Sequence, residues 1–198
     1  MWYIIRHGQT LENNLGIQQG QTQSLLTLKG IVQAQSIGYR LLEQNEDFLK
    51  FKFISSPLVR ARHTLQIIME ILGVSGKIEP IVEPLIINRN KGILQGIPKE
   101  KVKELFPEEY KEREKDPWNY IAPGATESKC QSCKRLQEFI EKYKNEENLI
   151  MVGHRGINSM IRQLLDGLTP DEIKEAEIKP DKSQNYFYTW DRKKLNRI

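Results

Sequence analysis

Two histidines and two arginines stand where hydrophobic runs of this chain give way to polar residues, and chemistry is expected there first. Arg6 and His7 follow the apolar run Trp2–Ile5, Arg60 lies shortly after Phe51–Ile54, and His154 follows Leu149–Val152. A guanidinium presents a planar fork of donors that matches phosphate oxygens, and a neutral imidazole presents a nucleophilic nitrogen at physiological pH. Together they suit transfer of a phosphoryl group to histidine. Such a transfer passes through a loose transition state with charge on the equatorial oxygens, so positioning and electrostatic stabilisation dominate catalysis. Arg6, Arg60 and a protonated His154 are expected to supply that stabilisation. For His7 to attack through one ring nitrogen, the other must keep its proton, most simply by donating it to a backbone carbonyl that sequence alone does not identify.

These residues need a scaffold that brings several strand ends to one edge. Trp2–Ile5, Phe51–Ile54, a piece around Ile78–Val82, Leu149–Val152 and Tyr186–Trp190 read as strands. Between them lie helical periods. One begins at Thr27, a plausible N-cap, and carries Leu28, Ile31, Ala34 and Leu41; a second takes its cap and N1 proline from Ser55-Ser56-Pro57 and carries Leu58, Ala61, Leu65, Ile68 and Leu72, with Gly73 as its stop. A third starts at Thr126 and aligns Cys133, Leu136, Phe139, Ile140 and Tyr143; a fourth carries Ile157, Ile161, Leu164 and Leu165, and Thr169-Pro170-Asp171-Glu172 reads as a capping box. Strands alternating with helices predict a three-layer α/β fold: a mostly parallel central sheet with helices on both faces, and ligands gathered outside the carboxyl ends of the strands.

Composition narrows the class. The 198 residues suit one domain, 1–198, with residues of about 88–120 as an irregular cap region carrying short helices near Glu100–Phe106. A 38% apolar share, no membrane-length apolar run and a start that enters a strand without room for a secretory leader predict a cytoplasmic protein with no membrane partner. The +4 net charge comes from 30 basic and 26 acidic residues largely intermixed, so no nucleic-acid footprint is expected. Cys130 and Cys133 form a C-x-x-C inside a helical pattern with no second pair to complete a metal site, and read as reduced structural cysteines.

Arg6-His7-Gly8-Gln9-Thr10, followed by Asn13 and Gln19-Gly20, resembles the R-H-G-x-T-x-x-N signature of the histidine phosphatase superfamily, the phosphoglycerate mutase-like group. Leu26–Gly30 with Gln33-Ala34, Ser56–Thr64, Pro123–Ser128 and Val152-Gly153-His154 resemble later segments of that family in order and spacing, over essentially the whole chain. The resemblance implies that His7 becomes phosphohistidine, that Arg6, Arg60 and His154 bind the phosphoryl group, and that Asn13 touches it from the first loop. It implies no metal and no organic cofactor. The expected ligand is a small phosphorylated metabolite or free phosphate; a homodimer stays open.

Two positions depart from that family. Ile86–Gly96 is similar to its L-x-E-R-x-x-G-x-x-x-G segment, but Asn88 stands where a glutamate would donate a proton to the leaving group. An amide can hydrogen-bond a leaving oxygen and cannot protonate it. General acids contribute about a hundred- to ten-thousandfold, so slow turnover of alkyl phosphates is expected, with aryl phosphates and anhydrides less affected. Glu83, Glu100 and Glu127 read as solvated carboxylates rather than substitutes. Arg155 replaces a glycine common after the second histidine, and is either an extra cation at the pocket or turned to solvent; Arg89 and Lys91 can line the substrate side and favour anions. The leading reading is a phosphatase of small phosphomonoesters. A catalytically impaired member that binds a phosphorylated ligand or a partner is the alternative. A phosphoglycerate mutase is the lesser one, because the chain lacks room for the long insertions such mutases carry.

Overall fold

The computed structural model describes residues 1–175 and 187–197. Tyr186, expected to begin the last strand, lies outside them. The elements run β1 (Trp2–Arg6), α1 (Leu11–Asn14), α2 (Leu28–Leu42), β2 (Lys52–Ser55), α3 (Val59–Ile71), β3 (Ile81–Val82), α4 (Val102–Leu105), α5 (Pro107–Lys115), α6 (Lys129–Tyr143), β4 (Leu149–Gly153), α7 (Arg155–Leu165), α8 (Pro170–Glu175), β5 (Phe187–Trp190) and β6 (Leu195–Arg197). The sheet order is β3-β2-β4-β1-β5-β6. The first four of these pair in parallel, and β5 and β6 add antiparallel ladders at one side.

Alternation along the strands divides the core in two. Trp2, Ile4, Ile54, Leu149 and Met151 point to the face covered by α6, α7 and α8, where they meet Leu136, Phe139, Ile157 and Ile161. Tyr3, Ile5, Phe53, Ile150 and Val152 point to the other face, against Ile37 and Leu41 of α2 and Leu65 and Ile68 of α3. This is the three-layer arrangement expected from strands buried on both faces. Gly38 lets α2 and α3 approach: a Cβ there would lie 3.0 Å from the Ile71 side chain.

Some local signals resolve differently. Thr27 does cap α2, accepting from the Gly30 amide. Ser56 and Pro57, by contrast, precede α3 rather than start it; Leu58 holds the N-cap position without a side-chain cap. Ser128, not Thr126, caps α6, because it forms a reciprocal capping box with Gln131. The cap region holds the short α4 as expected, and also the nine-residue α5. That helix has no apolar stripe. It is supported by Pro107 at its start, by Glu108 and Glu109 in its first turn, and by the Glu108–Lys111 and Glu112–Lys115 pairs. A small cluster of Leu94, Val102 and Ala122 holds the region together.

Candidate functional site

Strand register brings the site together. Arg6 of β1 pairs with Gly153 of β4, and Val152 of β4 with Ser55 of β2, so the three strands end level. The next residue on each is His7, His154 and Ser56, and the ladder runs on into them: the His7 amide donates to Gly153 O at 3.1 Å and the Ser56 amide to Val152 O at 3.1 Å. Beyond His7 the chain lies on the first turn of α2. A Cβ on Gly8 would come within 2.3 Å of Gly30 O, and one on Gly30 within 2.1 Å of Gln9 O, so neither position has room for a side chain. Asn158 of α7 donates to Ile5 O at 2.8 Å and fastens that helix to the end of β1.

The two imidazoles are buried, with ring centroids 5.2 Å apart. His7 Nδ1 lies 2.7 Å from Gly8 O. A carbonyl can only accept, so Nδ1 carries the proton and Nε2 is left with its lone pair. The carbonyl required of the fold is thus that of the very next residue. Burial, then Arg60 and Arg6, hold His7 well below its ordinary value of 6.5, and only the Gly8 hydrogen bond opposes them. His7 is neutral at neutral pH.

His154 corrects one expectation. Burial, then His7, Arg60, Arg6 and Arg135, push it well below 6.5 too, so without an anion present it is neutral rather than protonated. Its Nε2 lies 2.8 Å from Ser56 Oγ, and its Nδ1 is buried with no hydrogen-bond partner. If the Ser56 hydroxyl donates to Nε2, Nδ1 carries the proton as an unused donor suited to a phosphoryl oxygen. The sequence offers Ser56 as part of a helix cap and of the Ser56–Thr64 resemblance, with no role at the site. Its position directly after a strand, as for the two histidines, was the signal available.

A cavity of about 370 Å³ opens at these strand ends, and ten of the eleven predicted residues line it. Arg6, His7 and His154 lie beside Asn13, Gln19 and Gly20 of the first loop, with Asn88, Arg89, Lys91 and Arg155 completing the set. Asn13 shares a capping box with Thr10, to which the Gln19 amide also donates. The cation at Arg155 is therefore at the pocket. Arg60 is the exception. It is fully buried behind the cavity and donates one amine to Thr22 O at 2.7 Å and the other to Gly20 O at 2.8 Å. In this arrangement it holds the loop and adds positive charge to the site, and burial holds its own guanidinium down to about 10, against the pull of Glu12.

Asn88 occupies the cavity wall with both ends of its amide used, Nδ2 to Gly20 O at 3.0 Å and Oδ1 to the Arg89 amide at 3.1 Å. Among the described residues no carboxylate replaces it, since none of those lining the cavity is an Asp or Glu. Glu83 is buried, not solvated: burial raises its pKa, but hydrogen bonds from Lys142, the Leu85 amide and Tyr143 outweigh that and keep it ionised. Glu127 is held by Arg135, and Glu100 is exposed. Lys91, Lys99 and Lys129 also reach the cavity, of which sequence reading named only Lys91. α7 begins at Arg155 with no side-chain cap, and its first residues, Arg155, Gly156 and Ile157, line the cavity, the kind of helix start that suits an anion. Cys130 and Cys133 are free thiols on α6, and burial pushes Cys133 up to about 11. No helix among the described residues is long and apolar enough to cross a membrane.

Comparison with known proteins places this geometry. A 2,3-bisphosphoglycerate-dependent phosphoglycerate mutase of Nitrobacter hamburgensis is 27% identical over 182 residues, 88% of this chain and 85% of that protein. One from Beijerinckia indica is 28% identical over 180 residues, with the same coverage. Chain length therefore does not set this protein apart from such mutases, contrary to the expectation drawn from missing insertions. Among solved structures, the alpha-ribazole phosphatase of Shigella flexneri superposes with a TM-score of 0.77 at 22% identity, covering 94% of this chain and 88% of that one. A mycobacterial glucosyl-3-phosphoglycerate phosphatase in complex with VO3 gives 0.72 at 19% identity, covering 94% and 90%. A family profile matches residues 2–197, leaving almost nothing of the chain outside it, and the protein belongs to the histidine phosphatase superfamily (branch 1).

Proposed function

We propose that this protein is a phosphatase of small phosphorylated compounds, working through a phosphohistidine on His7. The observation that carries the reading is the 2.7 Å contact of His7 Nδ1 with Gly8 O, which fixes the tautomer and leaves Nε2 as the nucleophile at the strand-end cavity. The phosphoryl group would lie against Arg6, His154 and the first turn of α7, and water would then discharge the phosphohistidine. Asn88 makes alkyl esters poor substrates. The mutases among the relatives favour one second reading, in which the phosphoryl group returns to a phosphoglycerate. Following 3-phosphoglycerate and p-nitrophenyl phosphate by phosphorus NMR separates the two. The phosphatase reading expects inorganic phosphate, mostly from the aryl ester; accumulation of 2-phosphoglycerate would support the mutase.

Two further results are expected. Ser56→Ala removes the group that sets the His154 tautomer, and should lower kcat/KM about tenfold, the worth of one hydrogen bond to a charged ligand. The pH profile follows from the depressed imidazoles. Because kcat/KM reports the free enzyme, its acid limb should fall below pH 6.5, where neutral His7 finally protonates. Stability follows the same sign. The unfolded chain takes up these protons at about 6.5 and the folded chain does not. The urea midpoint should hold above that pH and decline below it.

A further inference from the structure

The cavity beside His7 carries far more positive charge than one phosphoryl group requires. Among the described residues, six arginines and lysines line it, Arg6, Arg89, Lys91, Lys99, Lys129 and Arg155, and no carboxylate does. Lys91, Lys129 and Arg155 have no carboxylate at ion-pair distance among the described residues. Burial first, then Arg89, Lys129, Arg113 and Arg155, push the Lys91 amine down to about 7. The adjoining cavity of about 280 Å³ shares Arg89, Lys91 and Lys129, and its two carboxylates are already engaged, Glu127 with Arg135 and Glu114 with Arg113. Lys129 and Arg155 are moreover the first residues of α6 and α7, where a cation opposes the helix dipole and lowers stability. Such a wall is strained electrostatically until an anion occupies it.

The second observation is Asn88. An alkoxide leaving group, whose conjugate acid has a pKa of roughly 16 like that of water, needs a proton as it departs; the amide at 88 cannot give one, and among the described residues no carboxyl group lines the cavity to do so. A phosphate leaving group, with a pKa of about 6, needs none. What it needs is positive charge. Resting on the phosphohistidine reading, we infer that the preferred substrate is a condensed phosphate, whose terminal phosphoryl group goes to His7 and whose departing phosphate is received by Arg89, Lys91, Lys129 and Arg155.

The step balances without an acid. The His7 Nε2 lone pair forms the P–N bond as the bridging P–O bond breaks, and that electron pair stays on the bridging oxygen of the departing phosphate. Water then attacks the phosphorus, the P–N bond returns its pair to Nε2, and the two hydrogens of the water leave with the released phosphate. Arg89, Lys91, Lys129 and Arg155 stabilise the leaving group in the place where a proton would otherwise be required.

The experiment compares kcat/KM for tripolyphosphate, glycerol 3-phosphate and p-nitrophenyl phosphate in the parent and in a Lys91→Met/Lys129→Met double variant. The proposal expects tripolyphosphate to exceed glycerol 3-phosphate by at least about a hundredfold, the lower bound for a missing acid. It also expects the double variant to lose at least about tenfold more on tripolyphosphate than on the aryl ester. A smaller gap between the first two substrates, or equal losses in the variant, would overturn it while His7-dependent aryl hydrolysis left the phosphatase reading standing. Absence of His7-dependent turnover on all three would remove both. Neither lysine packs in the core, and loss of a cation at the start of α6 should not impair folding; a thermal melt of the variant checks this.

Discussion

His7→Ala should reduce turnover of every phosphate ester, aryl esters included, by at least about a thousandfold, the scale on which removing a nucleophile acts. The size of the effect follows from what remains. Without Nε2 the cavity still holds His154, Arg6 and the other cationic side chains, so phosphate should still bind, with affinity changed far less than rate. Among the described residues that line the cavity there is no Ser, Thr or Cys; His154 is directed to Ser56, and the third histidine of the chain, His63, is exposed on α3. The Gly8 carbonyl loses its donor, and the space that the imidazole vacates can admit a water to replace it. Loss of turnover with phosphate binding retained is therefore the expected pair of results, read by colorimetric phosphate release and by calorimetry.

Asn88→Glu should act in the opposite direction, raising kcat/KM for alkyl phosphates by about a hundredfold or more while changing aryl phosphates little. The asparagine is held by donating to Gly20 O. An ionised glutamate cannot donate there and would be repelled, and its extra methylene lets it swing into the cavity. The surrounding cations favour its ionised form, so the gain on alkyl esters should grow as pH falls from 7.5 toward 5.5 and more of it carries a proton. His7 stays neutral over most of that range because its own pKa is well below 6.5. An unchanged ratio of alkyl to aryl hydrolysis would show that position 88 has no part in proton transfer.

The strand ends that bear Arg6, His7 and His154 were legible because each is an abrupt change from a buried apolar run to polar residues. Both core faces were legible too, since strand alternation and helical spacing record burial directly. Arg60 was placed correctly on its helix but not at the cavity surface, because sequence records the helix and not the carbonyls of Gly20 and Thr22 that capture the guanidinium. The charge state of His154 could not be read either. It depends on burial beside His7 and two arginines, contacts among residues far apart in the chain. Lys99 and Lys129 were missed for a related reason: each looks like ordinary surface charge until the cap region and α6 converge on the same opening. α5 lacked any apolar period to announce it, and the three residues of β6 are too few to show an alternation.

The central claim is a covalent phosphoryl group on His7 Nε2. Rapid quenching of the protein with labelled p-nitrophenyl phosphate, followed by peptide mass spectrometry, tests it most directly. The account predicts an acid-labile, base-stable phosphoryl group on the peptide containing His7, absent from His7→Ala. Turnover with no label on that peptide at any quench time, or a label that persists in His7→Ala, would contradict it.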